Sequence, residues 1–156
     1  MKLRIVTVLV LFVVVAAVPA TVHAGTKAFR HALAHRINHY RATHGLGPLH
    51  VKVHLHESAQ AHSADMARHH MLSHSASTGA SWITRIRYWG YRGTYIGEDL
   101  AVSGLSARAV MRMWRASSEH RANLLSARYR AVGLGAKMGS WSGRAAVYVT
   151  ADFGGS

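Results

Sequence analysis

Residues Tyr129–Phe153 read YRAVGLGAKMGSWSGRAAVYVTADF, and this stretch sets the fold class. Tyr129 to Lys137 and Arg144 to Phe153 have strand character, and Gly139-Ser140-Trp141-Ser142-Gly143 between them has the composition of a hairpin loop. Two paired strands therefore close the chain, and what precedes them is mainly helical. From Lys27 to His44, Phe29, Leu33, Ile37 and Tyr40 form one stripe of an amphipathic helix, which Gly45-Leu46-Gly47-Pro48 ends. A second helix is expected from about His54 to Met71, with Leu55, Ala59, His62 and Met66 on one face. Trp82 to Trp89 reads as a shorter helical piece closed by Gly90. Tyr95 to Val102, interrupted by Glu98 and Asp99, is more strand or loop than helix. Ser106 is a suitable N-cap for a third helix carrying Ala109, Val110, Met113 and Trp114. Helices first and paired strands last imply an α+β layering, not a βαβ succession.

At 156 residues, 49% of them apolar and 16% charged, the chain suits one folded domain and not a disordered one. Its first 24 residues stand apart. Lys2 and Arg4 precede an apolar run from Ile5 to Val18, Pro19 breaks it, and Val22-His23-Ala24 offers a cleavage signature. We read 1–24 as a signal peptide cut after Ala24, the alternative being an uncleaved anchor, and 25–156 as one domain of a secreted protein, expected to be a monomer. Without Lys2 and Arg4, 17 of the 19 basic side chains face six acidic ones, leaving +11 before histidines are counted. Such a charge favours polyanions. An exported protein meets anionic cell-wall polymers and acidic lipid headgroups; nucleic acid is disfavoured, since charge alone points to it. With no cysteine, thiol catalysis and cysteine-ligated zinc are excluded, and packing alone must hold the core.

No phosphate-binding glycine loop, G-x-S-x-G or H-E-x-x-H occurs. Several modest motifs follow one another in a telling order. They are RATHGLGPL (Arg41–Leu49), HSADMA (His62–Ala67), LSHS (Leu72–Ser75), RIRYWGY (Arg85–Tyr91), GEDLA (Gly97–Ala101), WRASSEHRANLL (Trp114–Leu125), VGLG (Val132–Gly135) and ADFG (Ala151–Gly154). Together they resemble the CAP superfamily of cysteine-rich secretory, antigen 5 and pathogenesis-related proteins, in its short cysteine-free bacterial form. The resemblance covers residues 27 to 154 and implies a three-layer α-β-α sandwich with a central cleft. In many members that cleft holds two histidines and two glutamates, and the histidines bind a divalent metal such as zinc. His74, Glu98 and His120 match three of these positions. Ser117 stands where the second glutamate is expected, so the tetrad is incomplete.

Two imidazoles and a carboxylate suit zinc and leave a fourth position for water, which the metal would acidify. Without metal, a glutamate beside a histidine raises its pKa and orients its ring. The spacings of these three residues match no short metal motif, and the alternative is a buried polar network joining helices to sheet. Glu119 adjoins His120 and is expected to face solvent. His62 reads as a core residue, His69–His70 and His50/His54 as surface histidines, and Trp141 as the best candidate for an exposed contact. The first functional expectation is a binding module engaging an anionic cell-surface or lipid ligand, a sterol or other hydrophobic ligand also being compatible with the resemblance. The second is a zinc-dependent hydrolase using His74, Glu98 and His120.

Overall fold

A computed structural model of the chain describes residues 20–156 except Leu105, with side chains from residue 25 onward. The expected leader lies outside the described residues, save that the backbone of 20–24 opens the first helix. The elements are α1 (Ala20–Ala42), β1 (His50–Val51), α2 (Val53–His69), α3 (Trp82–Tyr88), β2 (Tyr95–Ser103), α4 (Ala107–Ala116), α5 (Ser118–Leu124), β3 (Ala131–Trp141) and β4 (Arg144–Gly155). The four strands form one sheet in the order β1-β3-β4-β2, antiparallel except for the short β1, which runs parallel to β3.

Side chains alternate across a strand, so each strand of this sheet serves two faces. On β3 and β4, Val132, Leu134, Val149, Ala151 and Phe153 point one way and pack with Leu33 and Ile37 of α1 and Val110 and Trp114 of α4. Tyr148 and Ala131 point the other way, to Met66 and Leu55 of α2. The expected three-layer α-β-α sandwich is therefore the observed one. Gly133 and Gly135 let α2 approach the sheet: a Cβ on Gly135 would lie 2.0 Å from the Ala59 carbonyl oxygen, and one on Gly133 1.9 Å from the Leu55 carbonyl carbon. No larger residue fits there without moving the helix.

Three local expectations are corrected. The hairpin loop is only Ser142–Gly143, because both take left-handed φ values of 50° and 77°; this suits the tight turn of a twisted two-residue hairpin and lets Trp141 pair with Arg144. On α4 the buried methionine is Met111, not Met113, which is 44% exposed. Ala107, Val110, Met111 and Trp114 are the residues one helical face brings together. Ser106 occupies the N-cap of α4 but its side chain makes no capping bond.

Arg41 ends α1 fully buried and without an acidic partner. Its guanidinium donates instead to the carbonyls of Gly47 (2.9 Å), Leu124 (2.8 Å), Ser126 (3.0 Å) and Tyr129 (3.3 Å). One side chain thus fastens the end of α1 to the turn between α5 and β3 and satisfies carbonyls that lie outside any ladder.

Candidate functional site

The site forms along β2, an edge strand, where consecutive residues serve opposite faces. Glu98 points toward the α2–α3 layer, and its neighbour Asp99 toward α5. Both are buried. His74 lies in the loop after α2 and brings its Nδ1 to 2.7 Å from Glu98 Oε1. The other carboxylate oxygen, Oε2, accepts from Nη2 of Arg85, on α3, in a buried ion pair. Arg85 also donates to the His74 carbonyl at 3.4 Å and places Nη2 3.8 Å from Asp152 Oδ1. Asp152 is the residue opposite Glu98 in the β2–β4 register, so the sheet itself sets two carboxyls against one guanidinium.

Electrostatics follow from this crowding. The hydrogen bond to Glu98 raises the His74 pKa, against the smaller opposing effect of burial. Burial, then the charge of Glu98, holds Asp152 well above the usual carboxylate range. Burial pushes Asp99 up to about 8 although Asn123 Nδ2 donates to its Oδ1 at 2.7 Å. His62 is lowered by burial and then by Arg85. Its Nε2 stands 2.8 Å from the Ser73 carbonyl, and since a carbonyl only accepts, that nitrogen carries the proton.

His120 enters from the other side, on α5. Its ring is half-buried, 6.3 Å from that of Trp114, and its Nδ1 has no hydrogen-bond partner. Burial, then the nearby charge of His74, lowers its pKa. The structure thus puts His74 and Glu98 in direct contact, while His120 stands near enough to feel His74 but bonds to neither. Among the described residues, no three His, Cys, Asp or Glu side chains are grouped as a metal ion requires. Glu98, engaged on both oxygens, fits the part of a carboxylate that orients an imidazole rather than that of a ligand. Zinc or another divalent metal would therefore have at most one nitrogen each of His74 and His120 to bind and, among the described residues, no third protein ligand grouped with them.

Ser117, in the position where a second glutamate is expected, ends α4 and starts α5. Its hydroxyl accepts from the His120 backbone N–H at 3.4 Å, an N-cap that fixes the helix carrying His120. Glu119 is exposed, as expected. His62 is buried in the core, also as expected. His50 lies on β1 and His54 on α2, both exposed, as surface histidines are expected to be. His69 sits 3.5 Å from Asp65, and Trp141 is 40% exposed at the hairpin tip. Sequence reasoning missed Arg85, Asp152 and Asn123 as site members. For Asp152 a signal was present: Tyr148, Thr150 and Asp152 alternate with the apolar Val149, Ala151 and Phe153, which puts the acid on a buried strand face. Arg85 gave none, because an arginine on a short helix reads as solvated.

Comparison with known proteins agrees with this architecture. A family model described as CAP, cysteine-rich secretory protein family, matches residues 34–153. The uncharacterized protein YkwD of Bacillus subtilis is 27% identical over 112 residues, 72% of this chain and 44% of that protein. Among solved structures, an extracellular SCP-domain protein of Bacillus anthracis superposes with a TM-score of 0.77 at 21% identity, over 90% of this chain and 44% of that one. An outer surface protein of Borrelia burgdorferi gives 0.71 at 18% identity, over 84% of this chain and 96% of that one. The two structures are likenesses of fold. This chain spans less than half the length of the two Bacillus proteins.

Proposed function

We propose, from the premise that the chain belongs to the CAP, or cysteine-rich secretory protein, family, that it works outside the cell as a binding module for an anionic surface ligand. The observation carrying this reading is the commitment of Glu98, whose two oxygens are taken by His74 and Arg85. Hydrolysis through a metal-bound water asks for about three protein ligands and a base free to move a proton. Here the carboxylate is spent on holding its neighbours, and Ser117 caps a helix where a second acid would stand.

A binding role suits the same geometry. The buried Glu98 holds the His74 ring in one orientation, leaving Nε2 outward, and a cationic imidazole is favoured by its raised pKa. Basic side chains dominate the rest of the surface, with five of the six acids either buried or tied to a neighbour: Glu98, Asp99 and Asp152 are buried, Asp65 accepts from Ser77, and Glu57 lies 4.0 Å from His54. Export is supported by the leader read in residues 1–24 and by relatives described as extracellular or outer-surface proteins. Among the described residues no helix is long and apolar enough to cross a membrane.

The test is binding of residues 25–156 to purified anionic wall polymer and to phosphatidylglycerol vesicles across a salt series. Affinity should fall as salt rises, and tight binding indifferent to salt would overturn the reading. Metal analysis of protein purified without chelator, repeated on His74→Ala and His120→Ala, decides the hydrolase alternative. Stoichiometric zinc together with a hydrolytic activity that both substitutions abolish would establish it.

A further inference from the structure

The positive charge of this chain is not spread evenly. α1 and α4 pack side by side, and neither contains an acidic residue among those described. Between them runs a groove of about 490 Å³ lined by Arg36 and Tyr40 from α1 and by Arg108, Met111, Arg112 and Arg115 from α4. A second depression, about 320 Å³, shares Arg36, Tyr40, Met111 and Arg115 and continues past His39 and His44. The two form one trough along the helix pair.

The arginines of this trough differ from most others in the chain. Arg41 donates to carbonyls, Arg85 pairs with Glu98, and Arg87 donates to the carbonyls of Tyr91 and Gly93. Among the described residues the guanidiniums of Arg36, Arg108 and Arg112 have no hydrogen bond or ion pair, and that of Arg115 rests on the Tyr40 ring, 4.7 Å from its centroid. No acid lines either part of the trough. Four like charges held together without a counter-charge repel one another, and a bound anion removes that repulsion while accepting their donors.

We infer that the α1–α4 trough is a docking site for a linear phosphate-bearing polymer, gripped by Arg36, Arg108, Arg112 and Arg115. This deepens the anionic-ligand reading above and rests on it, but places contact away from the His74–Glu98 site. Arg108 and Arg112 are four residues apart and Arg115 three further, so they stand in a row along one helix face, with Arg36 opposite. A row of forked donors in a trough suits repeating anions on a chain. A lipid bilayer is disfavoured: the most exposed apolar side chains, Tyr88, Val51, Val53, Leu72 and Ile83, lie on α3, β1, α2 and the loop after α2, and only Met113 projects from α4. Nucleic acid is disfavoured because Tyr40, the one Phe, Tyr or Trp ring in the trough, is already covered by Arg115 and has the His44 ring edge-on against it at 4.4 Å, leaving a poor platform for stacking bases.

The probe is long-chain inorganic polyphosphate, titrated against the wild type, Arg108→Gln/Arg112→Gln, and the charge-matched control Arg68→Gln/Arg144→Gln. All four positions are exposed, so folding should survive in both, with thermal unfolding as the check. The trough variant should lose about tenfold or more in affinity and flatten the dependence of log K on log salt by about one unit per arginine removed, while the control loses about threefold or less. Equal losses in both variants would overturn the trough and leave general anion binding standing. Failure of the wild type to bind polyphosphate, wall polymer or vesicles at low salt would overturn both. Equal or tighter binding of polyglutamate, phosphatidylglycerol vesicles or single-stranded DNA by the trough would overturn the phosphate-chain assignment.

Discussion

His74 and Glu98, 24 residues apart in sequence, meet at 2.7 Å with the imidazole half in solvent and the carboxylate 1% exposed. The bond therefore joins a mobile medium to a rigid one. Glu98 is positioned by its strand and locked by Arg85; His74 sits on a loop and takes its orientation from Glu98.

The buried charges should reveal their interdependence when one is removed. Arg85→Met leaves Glu98 facing Asp152 with only His74 to answer it, and should cost about 3–5 kcal/mol in urea unfolding. Arg85→Met combined with Glu98→Gln should recover much of that loss. A single variant within about 1 kcal/mol of wild type would mean that the pair does not hold α3 to the sheet.

His74 has a raised folded pKa, so its charge contributes stability in full below its unfolded value of about 6.5, and that contribution is lost as pH rises through the folded value. His74→Ala should accordingly destabilise most in mildly acidic buffer, by up to about 1 kcal/mol given the exposure of the ring, and less at alkaline pH. Thermal unfolding of the two proteins across pH checks this. A gap that widens with rising pH would contradict the assignment.

Asp99 behaves in the opposite sense. Its pKa rises from an unfolded value of about 3.9 to about 8, so the folded chain binds the extra proton and loses stability as pH climbs between these limits. Asp99→Asn keeps an acceptor for Asn123 and removes the titration. Its advantage should be least near the acid limit, grow with pH, and level off above about 8 at roughly 1–3 kcal/mol. A variant less stable than wild type at pH about 8.5 would show that the carboxylate is better accommodated than its burial implies.

Gly135→Ala should cost about 1–3 kcal/mol or more, because the added carbon meets backbone of α2 and not the end of a flexible side chain. Gly143→Ala, at a solvent-exposed turn with φ of 77°, tests a different cause, strain without crowding. A neutral result at Gly135 would mean that the helix can ride outward freely.

Most of the fold was legible because its signals are periodic. The stripe through Leu33 and Ile37, the face of α2, and the strand pair around a glycine-serine turn all translate directly into elements. Met111 was missed for Met113 although Ala107, Val110, Met111 and Trp114 already trace one helical face. β1 is two residues long and carries no pattern. The site was legible at His74, Glu98 and His120 only through resemblance, since contacts spanning β2, β4, α3, α5 and the loop after α2 have no spacing rule. Arg85 and Asp152 depend on register, which pairs Glu98 with Asp152 and is invisible until the sheet is assembled.

Arg41 does for this chain what a covalent cross-link does for many exported domains, tying distant backbone segments at one buried point. A tie made of hydrogen bonds is indifferent to thiol reductants and needs no oxidising machinery or pairing partner to form. The tie consequently forms by the same solvent exclusion that assembles the core, with no step of electron transfer.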